Sequence, residues 1–262
     1  MTLVDDRSRI AGRFLAARRA ATGLDDYPGD FPANLDDAYA IQDAAIAAWG
    51  RPVIGWKVGR VAEPLIHLFG TDRLTGPIFE QAEEGAAMPV FAEGFAAGEA
   101  EFLLRIGAAP PAGKTSFTLA EAADLIDAVH AGIEIASSPL GAINDLGPIA
   151  VVSDFGNNNG LVVGPEIPDW RASGFEQWDV TCRIGGETVG SGRAEAFPDG
   201  AIGAARFLFE LMARRGITPS PGQWISSGAV TGVHRARPGQ DVEADFGHGL
   251  TLRCSLVAAK PE

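Results

Sequence analysis

The sequence predicts an α+β fold, with a helical N-terminal lobe over residues 1–51 and a β-rich body over residues 52–262. Three observations predict it. The first fifty residues carry helical periodicity with helix start and stop signals. Beyond them, apolar and polar residues alternate in short runs with the two-residue period of strands. Thirty-three glycines and seventeen prolines supply the turns that such a body needs. Of the 262 residues, 46% are hydrophobic, ample for a substantial core.

In the lobe, residues 5–23 read as a helix with Ile10, Phe14 and Leu15 on one side, arginines on the other and Gly23 as its stop. Residues 25–32 read as a loop. Asn34 caps a second helix running to Trp49. Asp36 and Asp37 lie in its first turn, where the helix dipole favours anions, and Gly50 follows its end.

The body opens on residues 52–59, a strand-like run in which Lys57 sits between Trp56 and Val58 and is bracketed by Gly55 and Gly59. Such a lysine either carries its amine out to solvent or, partly buried beside a cation, loses some basicity and moves protons. His67 falls in a short helical stretch, and residues 70–79, with Arg73, Gly76 and Pro77, read as a turn-rich connector.

Residues 98–106 form the strand around which the chemistry is organised. Glu99, Glu101, Leu103 and Arg105 share one face, and Ala100, Phe102, Leu104 and Ile106 share the other, which is wholly apolar and sets the register. Two carboxylates side by side repel. Either that face is solvated, or a divalent cation, which prefers carboxylate oxygens, compensates the pair.

Residues 107–115 mimic a phosphate-binding loop. However, Ala108 occupies its first glycine position and Pro110 and Pro111 remove amide donors, so a surface loop is expected. Thr118 and Glu121 form a capping box for a helix through Ala131, stopped by Gly132. Residues 133–136 read as a strand with Glu134 between two isoleucines. Pointing inward, that acid needs a partner and would be a third oxygen ligand.

Residues 148–152 read as a further strand. Asn157, Asn158 and Asn159 follow in a polar turn, where they either accommodate left-handed backbone or orient a small polar substrate. Gly185 and Gly186 make a two-residue hairpin turn. Asp199 caps an amphipathic helix that turns Ile202, Phe207, Leu208, Leu211 and Met212 inward and ends at Gly216. Trp224 opens a short strand ending in small polar residues, and residues 241–257 close the chain as a hairpin.

The net charge is −13 with no basic cluster, which argues against nucleic acid and anionic membrane surfaces as partners. No apolar run has the length of a membrane span. Cys182 and Cys254 lie in apolar, strand-like surroundings without zinc spacing and read as buried free thiols of a reducing compartment. The N-terminus lacks the apolar region of a signal peptide, so a soluble cytoplasmic protein is expected.

Taken as a set, residues 55–59 around Lys57, Glu99-Ala100-Glu101, residues 133–135 around Glu134, the asparagine-rich turn before Gly160 and Ser227-Gly228 resemble the fumarylacetoacetate hydrolase superfamily. The likeness runs from Ala38 to the end and is strongest to the 2-keto-4-pentenoate hydratase and oxalocrotonate decarboxylase branch. It implies a mixed β-roll with peripheral helices and a helical N-terminal lobe. It also implies Mg²⁺ or Mn²⁺ held by Glu99, Glu101 and Glu134, with Lys57 as the proton-transfer residue. A small 2-oxo acid is the implied substrate, with Arg73, Asn157, Asn158, Ser227 and Gly228 as its binding residues. A homo-oligomer and a role in aromatic compound catabolism are further implications.

The expected activity is a hydratase-type lyase acting on a 2-hydroxydienoate. Decarboxylation of a 2-oxo-enedioate, acylpyruvate-type C–C hydrolysis and a non-catalytic partner-subunit role are the alternatives. Two positions depart from the branch's pattern. Its hydratases place an aspartate just before the glycine matching Gly76, where this chain has Leu74 and Thr75. An arginine follows the third ligand's strand there, where this chain has Ser137, Ser138 and Pro139.

Overall fold

The computed structural model describes residues 3–262, with side chains from Asp6 onward. Helices α1 (Leu3–Ala20) and α2 (Leu35–Trp49) form the N-terminal segment. The chain continues through β1 (Gly55–Arg60), α3 (Leu65–Phe69), β2 (Arg73–Ile78), β3 (Gln81–Glu83), β4 (Ala87–Val90) and β5 (Phe95–Ile106). Then come α4 (Leu119–Asp124), β6 (Ile126–Ser138), α5 (Pro148–Ser153), β7 (Asn158–Glu166), β8 (Val180–Ile184) and β9 (Glu187–Gly192). The last elements are α6 (Gly200–Arg215), β10 (Trp224–Ser226), β11 (His234–Arg235), β12 (Asp241–Asp245) and β13 (Thr251–Ala258).

Two mixed sheets make the α+β body. The larger runs β2-β1-β10-β5-β6-β7-β3, with β11 added to β5, and the smaller runs β4-β13-β12-β8-β9. The apolar face of β5 packs on the smaller sheet: Phe102 meets Phe246 edge-on at 5.1 Å, within a core that also holds Cys182, Val242 and Leu252. Helix α6 adds Leu208, Phe209 and Met212 to that core. Burying this much apolar area is the main stabilising contribution, at about 25 cal/mol per Å².

Helices α1 and α2 lie against the other side. Ile10, Phe14, Leu15, Ile41 and Ala45 share a cluster with Phe95, Ala97 and Ala136 of β5 and β6. Asn34 accepts the Asp37 N–H at 2.9 Å, as its position predicts. Gln42 of α2, fully buried, donates to the Thr75 and Val152 carbonyls and so ties the helix to β2 and α5.

Four expectations are corrected. The helix predicted from Thr118 to Ala131 ends at Asp124, and Ile126–Ser138 is one long strand. That strand pairs with β5 from Ile126 to Ser138, and this ladder outweighs the local helix propensity of its alanines. Residues 148–152 belong to a helix, started by Pro148 in the first turn, where a missing N–H costs nothing. The supposed connector contains β2, an edge strand. Thr75 turns its N–H outward to the Tyr39 hydroxyl, and Pro77, two residues on, has its nitrogen on the same unpaired side. Finally, Asp199 is in the left-handed region (φ 58°) and makes no side-chain cap; Glu176 instead accepts the Ala201 and Ile202 N–H groups at 2.7 and 3.2 Å.

The loop after β5 is exposed, and both cysteines are buried and free. No described helix is long and apolar enough to cross a membrane.

Candidate metal centre

Strand alternation puts Glu99 and Glu101 on one face of β5, and the β5–β6 register puts Glu134 directly opposite Glu99. This face is not solvated. Glu99, Glu101 and Glu134 are 4%, 1% and 0% exposed, so β5 is buried on both sides. One oxygen from each carboxylate can be chosen so that all three lie within 4.8 Å of one another.

Lys57 does not reach solvent either. It is buried, and its Nζ lies 3.5 Å from Glu134 Oε1. The flanking glycines make room for it. A Cβ on Gly59 would lie 3.3 Å from the Lys57 Nζ, and a Cβ on Gly76, opposite Lys57 on β2, would lie 2.2 Å from the Phe155 carbonyl oxygen. Gly76 thereby lets the turn at 155–157 close over the site. Thr75, where the hydratase pattern has an acid nearby, donates its hydroxyl to the Lys57 carbonyl at 2.7 Å.

Neighbouring groups orient the carboxylates. Glu134 Oε1 accepts from the Asn158 amide at 3.0 Å. Glu101 Oε2 accepts from the Ser226 hydroxyl and from the Gly228 N–H, the latter at 2.9 Å. Glu101 Oε1 and Glu134 Oε2 are buried without any partner. Unpartnered buried carboxylate oxygens are costly, and three carboxylates against one ammonium leave an excess of negative charge. A divalent cation is the compensation this donor set fits.

Without one, protons compensate. Burial first, and Glu134 second, push Glu99 up to about 8. Burial, reinforced by Glu134 and Glu99, holds Glu101 well above the usual carboxylate range. For Lys57 burial acts downward, but the charges of Glu134, Glu99 and Glu101 outweigh it, so its pKa is raised. The lowered lysine pKa expected beside a cation is therefore not a property of this charge set alone.

Lys57 and Glu99 line a cavity of about 430 Å³, together with Arg60, Asn144 and Asn157. The Asn157 amide donates to Asn144 Oδ1 at 3.3 Å. Of the expected substrate-binding residues, Asn157 lines this cavity, whereas Asn158 and Gly228 hold carboxylates. Ser227 has a buried, unpartnered hydroxyl, and it is the adjacent Ser226 that bonds Glu101.

Arg73 departs from the expectation. Leu74 faces the cavity, so its strand neighbour Arg73 points away, donating to the Pro198 and Gly200 carbonyls at the start of α6. After β6, where the branch's pattern has an arginine, Ser138 donates to buried Asp154, which also pairs with Arg18 of α1; Arg18 reaches the Ser137 carbonyl at 3.3 Å as well. Sequence reasoning missed Arg60, Asn144 and Ser226. Arg60, directly after Gly59, and Ser226, directly before Ser227, were within reach of it; nothing local marks Asn144.

No family model and no curated protein matches the chain by sequence. Among solved structures, 4-oxalocrotonate decarboxylase from Pseudomonas putida G7 matches with a TM-score of 0.82 at 19% identity, covering 97% of this chain and 98% of that one. It matches both as the complex with calcium and acetate and as the complex with magnesium and adipate. Fumarylpyruvate hydrolase from Pseudomonas aeruginosa, in complex with Mn²⁺ and pyruvate, matches with a TM-score of 0.54 at 13% identity, covering 78% of this chain and 89% of that one. These likenesses establish a shared fold, the one implied by the resemblance to the fumarylacetoacetate hydrolase superfamily.

Proposed function

We propose that this protein is a divalent-cation-dependent lyase acting on an unsaturated 2-oxo acid, with hydration of a 2-hydroxydienoate as its reaction. One observation carries the reading: the Lys57 amine stands 3.5 Å from Glu134 in a buried carboxylate triad with two unpartnered oxygens. Glu99, Glu101 and Glu134 would hold the cation, and their hard oxygens suit Mg²⁺ or Mn²⁺. When bound, the cation supplies Lewis-acid stabilisation of the negative charge that develops on the oxygens of a 2-oxo acid. The complexes of the structural relatives with magnesium and adipate and with Mn²⁺ and pyruvate support this choice of cation and acid.

The chain's own residues manage protons and position. Lys57 Nζ, beside the carboxylates, delivers a proton to the terminal carbon of the dienol and recovers one from the enol hydroxyl, so the proton count closes. Water then adds across the conjugated double bond, its hydroxyl to the carbon β to the carbonyl and its proton to the α carbon. Asn158, Ser226 and the Gly228 N–H keep Glu134 and Glu101 oriented.

Loss of CO₂ from a 2-oxo-enedioate is the second reading. The likeness to 4-oxalocrotonate decarboxylase over 97% of the chain favours it, and it uses the same enolate stabilisation. C–C hydrolysis needs a water-activating base, and no histidine is among the residues lining the cavity.

The test is the dienol absorbance of a 2-hydroxydienoate with the purified protein, with and without Mg²⁺, in wild type and Glu101→Ala. Mg²⁺-dependent loss of the band, absent from the variant, is expected, with product analysis separating hydration from decarboxylation. No loss across several dienoates while Mg²⁺ binds would favour the non-catalytic partner-subunit role. No loss and no Mg²⁺ binding overturns the reading.

A further inference from the structure

One side chain links helix α1 to the candidate metal centre. Arg18 and Asp154, with side chains 4% and 1% exposed, meet as a fork: Nε lies 2.6 Å from Oδ1 and Nη2 lies 2.9 Å from Oδ2. Asp154 directly follows α5, and the next three residues, Phe155, Gly156 and Asn157, all have left-handed backbone, with φ 55°, 67° and 65°. Two of them are not glycine, so the turn is strained and holds its shape only where its surroundings fix it. Arg18 bonds to both of its ends, since Nη1 also donates to Asn159 Oδ1 at 3.1 Å, beyond the turn in β7. Its guanidinium carbon lies 5.0 Å from the centre of the Phe155 ring, within the turn itself. Between the two anchors stands Asn158, whose amide donates to Glu134 Oε1 at 3.0 Å. The turn is also seated against the centre: a Cβ on Gly156 would lie 2.9 Å from Lys57 Cδ.

We propose that Arg18 is a positioning residue for the metal centre: by clamping Asp154 and Asn159 it fixes the direction from which Asn158 holds Glu134. This rests on the reading of Glu99, Glu101 and Glu134 as cation ligands. A buried ion pair is a poor device for stability alone, because desolvating the two charges offsets their attraction. A guanidinium, with five N–H donors in a rigid plane, is suited to fixing geometry. Its acceptors here are the Asp154 carboxylate, the Asn159 amide oxygen and the Ser137 carbonyl. Ser137 lies on β6, the strand that carries Glu134. The ligand's strand and the turn that orients the ligand are thus tied together by a single side chain from α1.

The test is Mg²⁺ binding to the full-length protein by calorimetry, set out as a double-mutant cycle. Arg18→Lys keeps the charge without the fork and should weaken Mg²⁺ binding about ten-fold, the lower end of what partners of metal ligands contribute. In an Asn158→Ala background the same substitution should change affinity by less than about two-fold, because the path to Glu134 is already cut. Arg18→Met combined with Asp154→Asn leaves no lone buried charge and should reproduce the loss. Ile10→Ala, about two turns before Arg18 on α1, removes core packing alone. It should lower Tm while Mg²⁺ affinity stays within about two-fold of wild type. Wild-type affinity in Arg18→Lys and in the double variant, equal losses with and without Asn158, or an equal loss in Ile10→Ala overturns the role of Arg18 and leaves the metal centre standing. No binding of Mg²⁺ or Mn²⁺ to wild type overturns both.

Discussion

Glu99 and Glu134 stand directly opposite one another across the β5–β6 ladder, both buried. Like charges so placed destabilise a sheet, and here a third carboxylate, Glu101, joins them. The fold keeps this arrangement by pairing it with Lys57 and by leaving two carboxylate oxygens free for a ligand.

A pH-dependent stability follows. Glu99 is held at about 8 in the folded protein against an ordinary value of 4.5. The folded state thus retains a proton that the unfolded chain releases as pH rises through 4.5. Without metal, that contribution is complete below pH 4.5 and is lost progressively up to about pH 8. Mg²⁺ competes with that proton, so its stabilising effect should grow over the same range. Thermal unfolding of chelator-treated protein at pH 5 and pH 8, with and without Mg²⁺, checks this. A difference of several degrees that is larger at pH 8 is expected, since about 1 kcal/mol shifts Tm by ~2–4 °C in a protein of this size. A Mg²⁺ effect that is absent, or greater at pH 5, would refute the assignment.

Lys57→Met separates catalysis from structure. The substitution removes the amine while keeping an apolar stem of similar length. Turnover should fall by about 10²–10⁴-fold, the usual contribution of a positioned proton donor. Mg²⁺ should bind more tightly, because a positive charge beside the carboxylates is gone. Titration calorimetry with Mg²⁺ reads the second effect, and weaker metal binding would mean that Lys57 serves to build the site.

Gly76→Ala and Gly59→Ala should fail in different ways. At Gly76 the new methyl meets the Phe155 backbone at 2.2 Å, which cannot yield cheaply. The cost should lie at or above the upper end of about 1–3 kcal/mol, read by urea unfolding. At Gly59 the nearest atoms are the ends of Leu74 and Lys57, both at 3.3 Å, and these can move. Stability should change by less than ~1 kcal/mol while turnover drops, because the displaced atom is the Lys57 amine. Equal stability losses for the two variants would contradict this account.

The two thiols should be inert in the folded protein. Burial pushes Cys182 up to about 11 and Cys254 up to about 12. At pH 8 neither should react with a disulfide reagent within minutes, whereas both react after denaturation. Rapid labelling of the native protein would show that one of these strands opens locally.

Much of the scaffold was legible because it depends on near neighbours. The Asn34 cap, the Gly185-Gly186 turn between β8 and β9 and the apolar face of β5 each follow from spacing within a few residues. The strand β6 was misread in its first half for the same reason. Its residues are buried on both faces, so no alternation marks them, and their alanines favour helix locally. The local rule for an N-cap likewise pointed to Asp199, whereas Glu176, remote in sequence, supplies the carboxylate.

By itself the sequence determined that Glu99 and Glu101 share a face, that Glu134 sits among apolar neighbours and that Lys57 is bracketed by glycines. These are consequences of residue type and of the two-residue period of a strand. Only the tertiary structure decided that Glu134 faces Glu99, that Lys57 turns to Glu134 and not to solvent, and that Ser226 bonds Glu101. It likewise decided that Arg73 leaves the cavity for the start of α6 and that Arg18 of α1 reaches the Ser137 carbonyl. Each of these depends on the register and approach of strands and helices far apart in the chain. Which long-range contacts form is set by burying the whole core at once, and local spacing carries no record of it.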